Sequence, residues 1–358
     1  MQDTSGAGGA PVRLRIGYLG APPHPSFFDL ARAHPELEFV EIAQSDSGEA
    51  MRAQLRTCHA YYVKASRQEL PKPMHVTAEF LAAVPNLLAA VSSGAGFDPI
   101  DLAACTDAGV PVINQTGANA QGVAEHTVGM MLGLLKRMPE TTAAMRAGRA
   151  QNRSAFMGRE IAGRTVGLVG IGNVGSRVAA ILRAAFGCRV LATDPYLDAA
   201  TVAERGAEKV ELPTLLAESD VVSLHCPYDP TTRGMFDAAA FAAMRKCAVF
   251  VTTARGGIHD EAALLAALNS GHIAGAGLDV WVDEPPPVDH PLLSHPLVIA
   301  TQHTAGVTNE SRMRIARYAV EAFADIAAGR RPPRVQNPQV LDRYRARWAA
   351  LYGRQPEF

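Results

Sequence analysis

A glycine-rich turn between a strand pattern and a helix pattern lies in the middle of the chain. Gly170-Ile171-Gly172-Asn173-Val174-Gly175 follows the apolar run Thr165–Val169 and precedes a helix-like run over 176–186. Asp194 closes the next apolar run, 19 residues after the last glycine of the turn. Strand, glycine turn, helix, strand and acid, in this order and spacing, are typical of a βαβ unit that binds a dinucleotide. The motif predicts a parallel α/β sheet that begins near residue 165, so another domain is expected before it.

The glycines of this turn have separate predicted tasks. Gly170 permits the sharp turn, Gly172 lets a pyrophosphate approach the backbone, and Gly175 lets the helix pack against the sheet. Unpaired N–H groups and the dipole at the helix start favour a phosphate. Asp194 would accept hydrogen bonds from ribose hydroxyls and repel a 2′-phosphate, which favours NAD over NADP. The alternative, a glycine turn in a purely structural βα unit, accounts less well for the spaced acid.

Length and composition place the chain among ordinary globular proteins. Its 358 residues suggest two domains, and it is 48% hydrophobic and 19% charged. A net charge of −1 gives no basic field for nucleic acid, and we find no apolar run of about 18 residues that would span a membrane. The small, polar segment 1–11 is expected to be a flexible tail rather than a signal.

The five cysteines are scattered and lack CxxC spacing. We interpret them as reduced thiols of a cytoplasmic protein, not as disulfides or a zinc site. A catalytic thiol is the less favoured alternative.

Strand and helix patterns alternate on both sides of the glycine turn. They predict two parallel-sheet α/β domains, over 12–117 (completed by about 309–340) and over 118–308. A long helix over 119–137 should end where Met138-Pro139 follows, because proline cannot continue a helix. Residues 330–358 are rich in proline and arginine at their start, and we expect either a solvated tail or an arm on the other domain.

Three polar residues follow late strand patterns, where ligands bind in open α/β sheets. They are Arg255, Glu284 and His303. Interconverting a 2-hydroxy acid and a 2-oxo acid needs a cation that binds the carboxylate and a group that gives and takes a proton. Arg suits the first task and His the second. A carboxylate beside His favours the imidazolium form. Alternatively, His303 is a structural histidine near a turn, Glu284 a surface acid before three prolines, and Arg255 a helix-start residue, which the helix dipole disfavours.

Further sequence blocks occur in one order along the chain. They are Ser93-Gly94-Ala95-Gly96-Phe97-Asp98, Asn119 through Val123-Ala124-Glu125-His126-Thr127, the glycine turn, His225-Cys226-Pro227 with Thr232, Thr253-Ala254-Arg255-Gly256-Gly257, Gly277-Leu278-Asp279-Val280, Glu284-Pro285 and His303-Thr304-Ala305-Gly306. On these blocks, residues 60–340 resemble the D-isomer-specific 2-hydroxyacid dehydrogenases, a family that includes phosphoglycerate, glycerate/hydroxypyruvate and formate dehydrogenases.

The resemblance implies two Rossmann-like domains, a flavodoxin-like substrate domain and an NAD-binding domain, with the active site in the cleft between them. It implies an NAD-dependent oxidoreductase acting on a small 2-hydroxy or 2-oxo acid, as a homodimer joined through the NAD-binding domain. Arg255 would bind the substrate carboxylate and carbonyl, His303 would be the acid/base, and Glu284 would assist it.

Further roles come with the same resemblance. Ser93, Gly94 and Ala95 would present backbone N–H groups to the substrate. Asn173 and Val174 would contact the pyrophosphate, Cys226 and Pro227 would border the adenosine, and Asp279 would bind the nicotinamide amide. The remaining cofactor contacts implied are Thr232, Thr253, Ala254 and Gly306.

The chain departs from the family pattern at two positions and leaves the substrate open. Thr252 stands where Asn is usual and Gln302 where Pro is usual, which could alter the turns that present Arg255 and His303. Lys64 lies near a position where phosphoglycerate dehydrogenases bind phosphate through Arg, so a phosphorylated substrate is one alternative and a surface lysine is the other. A non-catalytic NAD-sensing scaffold is a further alternative function.

Overall fold

A computed structural model describes residues 10–45, 47–149 and 152–358. The predicted flexible tail over 1–11 lies outside these residues, apart from residues 10 and 11. The chain divides into two compact units, one formed by residues up to Asn119 together with Asn309–Phe358, and one formed by Ala120–Thr308. The assignment of 12–117 with 309–340 to substrate and of 118–308 to NAD stays a prediction of roles.

Within the described residues, strands and helices alternate along the chain. The strands are β1 (Leu14–Tyr18), β2 (Leu37–Glu41), β3 (Ala60–Val63), β4 (Ala89–Ser92), β5 (Val112–Ile113), β6 (Thr165–Val169), β7 (Arg189–Thr193), β8 (Glu208–Lys209), β9 (Val221–Leu224), β10 (Val249–Thr252), β11 (Gly275–Leu278) and β12 (Val298–Ala300). The helices are α1 (Ser26–Ala31), α2 (Gly48–Leu55), α3 (Ala78–Ala83), α4 (Leu102–Asp107), α5 (Ala120–Leu135), α6 (Met138–Arg146), α7 (Asn173–Phe186), α8 (Ala199–Glu204), α9 (Leu212–Glu218), α10 (Ala238–Ala243), α11 (Glu261–Asn269), α12 (Pro291–Ser294), α13 (Asn309–Ala328) and α14 (Leu341–Tyr352). Short 3₁₀ turns lie at Arg67–Glu69, Lys72–Met74, Arg153–Phe156 and Pro338–Val340.

The first unit is built on a parallel sheet in the order β2-β1-β3-β4-β5. This is the flavodoxin-like arrangement, with helices on both faces. The central strand β3 is buried along its whole length, and its alternating side chains serve two cores. Tyr61 stacks on Phe80 on one face, while Tyr62 stacks on Phe27 on the other.

The C-terminal segment completes this unit, so the expectation of a solvated tail over 330–358 is wrong. Helix α14 buries Tyr344 and Trp348, and the Trp348 indole donates to the Ile326 carbonyl at 2.9 Å. Val335 forms an antiparallel bridge with Ile113 at the edge of the sheet. The alternative expectation, an arm on the domain that precedes the glycine turn, agrees with the structure.

The second unit has a parallel sheet in the order β12-β11-β10-β9-β6-β7-β8. From β6 the sheet is extended on one side by β7 and β8 and on the other side by β9 to β12. The order in which strands are added therefore reverses between β6 and β9, and ligands bind at such a switch point in open α/β sheets. The glycine turn follows β6, and the polar blocks near residues 226, 255, 279 and 303 follow β9, β10, β11 and β12. The parallel topology therefore brings these segments to one edge of one sheet.

Helix α5 ends at Leu135, before Pro139, as predicted. Arg137 then adopts a left-handed conformation with φ 55°, and a further helix, α6, begins with Pro139 in its first turn. None of the helices in the part of the chain that the structure describes is long and apolar enough to cross a bilayer.

Candidate active site

The glycine turn has two closely packed glycines and one open one. A Cβ atom on Gly170, whose φ is 89°, would lie 2.9 Å from the Cys226 nitrogen, and one on Gly175 would lie 2.3 Å from the Gly170 oxygen. A Cβ atom on Gly172 would meet nothing within 4 Å. The outer surface of the turn thus leaves the backbone of Gly172 accessible, as a pyrophosphate contact would require.

Helix α7 begins directly after Gly172, which caps it without any side chain. The first N–H groups of a helix have no partner within the helix, and its dipole adds positive potential at this end. The 14-residue helix α7 therefore presents an anion-binding terminus next to an open glycine. These features fit the dinucleotide that the sequence motif predicts.

Asp194 follows β7 and faces the glycine turn. Its carboxylate accepts hydrogen bonds from the N–H of Ile171 at 3.2 Å and from the N–H of Tyr196 at 3.1 Å. The Ile171 carbonyl accepts a further bond from Arg205 at 2.8 Å. The same acid that is predicted to meet a ribose therefore also holds the shape of the turn.

His303 and Glu284 form a pair at the ends of β12 and β11. The Nδ1 atom of His303 lies 2.8 Å from Oε2 of Glu284, and Oε1 of Glu284 accepts from the N–H of Trp281 at 3.1 Å. Burial raises the pKa of Glu284, but the hydrogen bond and charge of His303, the N–H of Trp281 and the charge of Arg255 together hold that pKa below its usual value. Glu284 is therefore a carboxylate at neutral pH, and it orients His303 with Nε2 left for proton exchange.

Asp279 fixes the turn that carries His303. This buried carboxylate accepts from the hydroxyl of Thr301 at 2.6 Å, from the N–H of Thr304 at 2.8 Å and from the N–H of Ala305 at 3.0 Å. Its backbone carbonyl accepts from the N–H of His303 at 2.7 Å. Sequence reasoning assigned Asp279 a nicotinamide contact and missed this positioning role, although a carboxylate at the end of a buried strand is the kind of signal that points to one.

Helix α5 contacts the strand ends near this turn. His126 Nε2 lies 3.1 Å from the Thr301 hydroxyl, and the hydroxyls of Thr127 and Thr253 lie 3.1 Å apart. The sequence predicts no contact for His126, which belongs only to a block of the family pattern. Its contacts tie α5 to the strand ends that carry the polar residues.

Arg255 follows β10 in the same cluster. Its guanidinium donates to the Ala254 carbonyl at 2.7 Å, and its charge lowers the pKa of Glu284. A Cβ atom on the next residue, Gly256, would lie 1.8 Å from the Trp281 oxygen, so the segments after β10 and β11 are in direct contact. Thr252, one of the departures from the family pattern, is buried, and its hydroxyl accepts from the Ala254 N–H at 3.5 Å.

The block after β9 is held by internal contacts. His225 is bonded to the Ser223 hydroxyl at 3.0 Å, and burial lowers the pKa of its imidazole to about 4. Burial raises the pKa of the Cys226 thiol to about 11, so this thiol is protonated and poorly nucleophilic. The Thr232 hydroxyl donates to the Pro227 carbonyl at 2.7 Å, which closes the loop.

In the first unit, the loop Ser93-Gly94-Ala95 follows β4. The Ser93 N–H donates to the Val63 carbonyl at 2.7 Å, and the Gly94 N–H points to the Ser92 hydroxyl at 3.2 Å. These bonds give the loop a defined shape, and they also engage two of the N–H groups that the resemblance assigns to substrate. Contact of this loop with a substrate stays a prediction, as do the cofactor contacts of Val174, Asn173, and the residues around Gly306.

Comparisons with known proteins show which family the chain resembles. Residues 128–305 match the family model described as D-isomer specific 2-hydroxyacid dehydrogenase, NAD binding domain. The chain is 36% identical over 294 residues to D-3-phosphoglycerate dehydrogenase of Bacillus subtilis, a match that covers 82% of this chain and 54% of that protein. It is 40% identical over 262 residues to D-3-phosphoglycerate dehydrogenase of Mycobacterium leprae, which covers 73% of this chain and 49% of that protein.

A solved structure is similar in fold as well. The D-lactate dehydrogenase of Aquifex aeolicus, complexed with NAD and lactic acid, superposes with a TM-score of 0.75 and 28% identity, covering 88% of this chain and 96% of that chain. The chain spans about half the length of the curated relatives it matches. With the NAD binding domain over 128–305, the chain belongs to the D-isomer-specific 2-hydroxyacid dehydrogenase family.

Proposed function

We propose that this protein is an NAD-dependent oxidoreductase that interconverts a small D-2-hydroxy acid and its 2-oxo acid. The observation that carries the proposal is the 2.8 Å contact of His303 with Glu284, formed at the strand ends of an NAD binding domain with Arg255 close enough to act on the Glu284 charge. This is the set of groups that a hydroxyacid reaction needs at neutral pH.

Each side chain has a task in the proposed reaction. Arg255 binds the carboxylate and polarises the adjacent carbonyl, because a guanidinium is always charged and matches a carboxylate in shape. His303 gives a proton to the carbonyl oxygen from Nε2 during reduction and takes one from the hydroxyl during oxidation. Glu284 stabilises the imidazolium and keeps its Nδ1 proton in place.

NAD, when bound, supplies the hydride acceptor or, in its reduced form, the donor. The residues that would hold it are the open Gly172, the start of α7 at Asn173 and Val174, and Asp194 at the ribose. The carboxylate of Asp194 favours NAD over NADP because it would repel a 2′-phosphate.

A panel of 2-oxo acids tests this function directly. Purified protein is mixed with NADH or NADPH and with glyoxylate, pyruvate, hydroxypyruvate or phosphohydroxypyruvate, and absorbance of the reduced nucleotide is followed. We expect consumption of NADH, faster than of NADPH, with at least one acid. Tight NADH binding with no turnover on any acid would instead support the alternative of an NAD-sensing scaffold.

A phosphorylated hydroxy acid is the second candidate substrate, and it is favoured by a cationic pair in the first unit. Lys64, after β3, donates to the Ala21 carbonyl at 2.7 Å. Burial lowers the pKa of Lys64, Glu69 raises it, and the nearby charge of Arg312 lowers it further, so two cations lie close together. Such a pair suits a second anionic group on the substrate, and both curated relatives described above are D-3-phosphoglycerate dehydrogenases.

The Lys64→Met variant separates the two candidates. If the substrate is a phosphorylated hydroxy acid, this change raises KM for phosphohydroxypyruvate at least about tenfold, as expected for loss of a charged hydrogen bond. It leaves glyoxylate turnover nearly unchanged. If the variant and the unchanged protein have the same KM for phosphohydroxypyruvate, the phosphorylated candidate is ruled out. Lys72→Met, on a neighbouring exposed turn, serves as the matched control.

We also propose a cytoplasmic homodimer joined through the second unit. The five cysteines are all unbridged, which suits a reducing compartment.

Met138, Met145 and Met157 are exposed by 57%, 65% and 76% on and after α6, a concentration of apolar side chains that favours an interface. Sedimentation should give twice the chain mass, and Met145→Glu with Met157→Glu should shift it toward the monomer; an unchanged dimer would place the interface elsewhere.

A further inference from the structure

Thr301 is hydrogen-bonded to three different segments of the second unit. This residue directly follows β12, two positions before His303, and its hydroxyl and its carbonyl have separate partners. The hydroxyl lies 2.6 Å from the carboxylate of Asp279 and 3.1 Å from Nε2 of His126 on α5. The carbonyl accepts a hydrogen bond from the Trp281 indole at 3.0 Å. All of these residues belong to the compact unit over Ala120–Thr308.

The acceptors of this network determine where its hydrogen atoms lie. The buried carboxylate of Asp279 accepts from the N–H groups of Thr304 and Ala305, and the Thr301 hydroxyl is its third donor. A threonine hydroxyl has a single hydrogen. Because that hydrogen is directed at Asp279, the Thr301 oxygen can only accept from His126. Nε2 of His126 therefore carries a hydrogen, which it donates to Thr301.

Two branches of the network reach the proposed acid/base pair. The Asp279 carbonyl accepts from the N–H of His303 at 2.7 Å, so one residue holds this turn through both its carboxylate and its carbonyl. Trp281, whose indole is bonded to Thr301, donates its backbone N–H to Glu284 at 3.1 Å. A shift of Thr301 would therefore move the partners of His303 and of Glu284 together.

Helix α5 gives this network a closely packed base. A Cβ atom on Gly277 of β11 would lie 3.0 Å from the sulfur of Met130 on α5. One on Gly133 of α5 would lie 2.9 Å from Cδ1 of Ile299 in β12. The helix and the two strands are therefore in direct contact, with no room for another methyl group. The side chain of His126, one turn before Met130, is 26% exposed, so replacing it opens no cavity in this contact.

We propose that His126 and Thr301 are positioning residues for proton transfer by His303. The inference rests on the proposed dehydrogenase function and assigns a task to residues that act through others. His126 orients the Thr301 hydroxyl toward Asp279, and the Asp279 carboxylate then holds the turn that carries His303. Outer hydrogen bonds of this kind limit the reorganisation that a proton transfer requires.

Two matched pairs of variants of the full chain test the proposal. His126→Phe keeps a ring but removes both nitrogens, whereas His126→Gln offers an amide N–H in place of Nε2. Thr301→Val keeps the branched shape but removes the hydroxyl, whereas Thr301→Ser retains it. We expect the first variant of each pair to lower kcat with the best acid of the panel about tenfold, as for loss of one buried hydrogen bond. The second should keep most of the turnover, and melting temperatures should differ little within each pair.

A solvent isotope effect separates positioning from a general loss of structure. If His303 is displaced, proton transfer becomes slower, so the ratio of kcat in H₂O to kcat in D₂O should rise in His126→Phe and Thr301→Val. Gln121→Ala is the control, because Gln121 lies at an exposed position of the same helix and is bonded to Glu125. An equal loss of kcat within each pair, or a lowered kcat with an unchanged ratio, would overturn the proposal.

Hydrogen exchange tests the same network without turnover. Followed by mass spectrometry, the N–H groups over 302–306 should exchange faster in Thr301→Val than in Thr301→Ser, while those of the glycine turn over 170–175 should exchange equally in both. Equal exchange over 302–306 would overturn the positioning role whether or not any acid is a substrate. Faster exchange, together with no turnover by the unchanged protein, would confirm the network but refute the dehydrogenase function and with it the task assigned to His126 and Thr301.

Discussion

His303 is held both through its backbone and through its ring. Its N–H donates to the Asp279 carbonyl at 2.7 Å, and its ring is bonded to Glu284 at 2.8 Å. The residue also adopts a φ of 49°, which is uncommon for a side chain other than glycine and needs surrounding contacts to maintain it. The imidazole is thus placed by its neighbours before any substrate binds, which limits the reorganisation that the proton transfer requires.

Replacing either member of the pair should reduce turnover by different amounts. His303→Ala removes the proton donor and acceptor and should lower kcat about a hundredfold or more. Glu284→Gln keeps the shape of the side chain but removes the negative charge that stabilises the His303 imidazolium, and should lower kcat about tenfold. Steady-state assays on the best acid of the panel, with His295→Ala as a control histidine, measure both; turnover of His303→Ala close to that of the unchanged protein would rule out the acid/base assignment.

The positions of these three residues at strand ends could be predicted from the sequence, whereas the contacts that support them could not; their catalytic roles stay a prediction. Arg255, Glu284 and His303 each follow a strand pattern, and parallel strands deliver their carboxyl ends to one edge. The bonds from Thr301, Thr304 and Ala305 to Asp279 depend on the turn after β12, which a linear pattern does not describe.

Among the elements, the glycine turn with α7 combines a structural task and a proposed binding task. Gly175 is needed for packing, since a Cβ atom there would lie 2.3 Å from a carbonyl oxygen. Gly172 has open space around its Cα and a negative φ of −73°, so the fold itself does not require glycine there.

Alanine substitutions at these two glycines should therefore separate stability from nucleotide binding. Gly175→Ala should lower the melting temperature, because the backbone must shift to relieve the contact. Gly172→Ala should leave the melting temperature of the protein without nucleotide unchanged and weaken NADH binding, because the added methyl group occupies the approach to the backbone. Thermal unfolding and NADH fluorescence titration measure the two effects, and a large loss of stability in Gly172→Ala would contradict this division.

The composition of residues 330–358 did not predict helix α14. Arginine and proline at 330–334 suggested solvent, yet Tyr344 and Trp348, four residues apart, lie on one helix face and are fully buried. The spacing of these two aromatics was the available signal. Helix α6 was missed for a related reason: Pro139 ends α5 but is also well suited to the first turn of the next helix.

Truncating the buried tryptophan tests the role of α14. Trp348→Ala removes a fully buried side chain and its hydrogen bond to Ile326, and should lower the free energy of unfolding by about 3–5 kcal/mol. Leu351→Ala, on the same helix and 39% exposed, is the control and should have a small effect. Urea unfolding followed by fluorescence and circular dichroism measures both; equal effects would indicate that the helix contributes little to the first unit.

At the scale of the whole molecule, the net charge of −1 counts every histidine as neutral. The second unit keeps two histidines neutral by burying them. Burial lowers the pKa of both His225 and His259 to about 4, below the ordinary value of 6.5. Unfolding exposes both rings, so between pH 6.5 and 4 the unfolded chain binds more protons than the folded one. The part of the stability that depends on these two histidines is therefore greatest above pH 6.5 and falls as the pH drops toward 4; the lowered pKa of Glu284 adds a loss in the same direction at the acid end.

This linkage predicts a measurable slope. Each neutral buried histidine contributes up to about 1.4 kcal/mol per pH unit to the loss of unfolding free energy over this range. His259→Phe should reduce the slope, while His34→Ala, which lies in the first unit, should not change the part of the slope due to the second unit. Denaturation at pH 7, 6 and 5 gives the comparison, and a variant slope equal to that of the unchanged protein would show that His259 is not held neutral.

Much of this protein follows from local sequence pattern. The glycine turn, the spaced acid and the alternation of strands and helices determined two parallel α/β sheets, an NAD binding domain and the identity of the polar residues at the strand ends, because short-range periodicity and turn chemistry encode these features. Tertiary structure alone decided what each residue contacts. The burial of Asp279 beneath the His303 turn, the return of α14 to the first unit, and the burial of the His259 ring against Phe250 all depend on residues distant in sequence that meet only after the chain has folded.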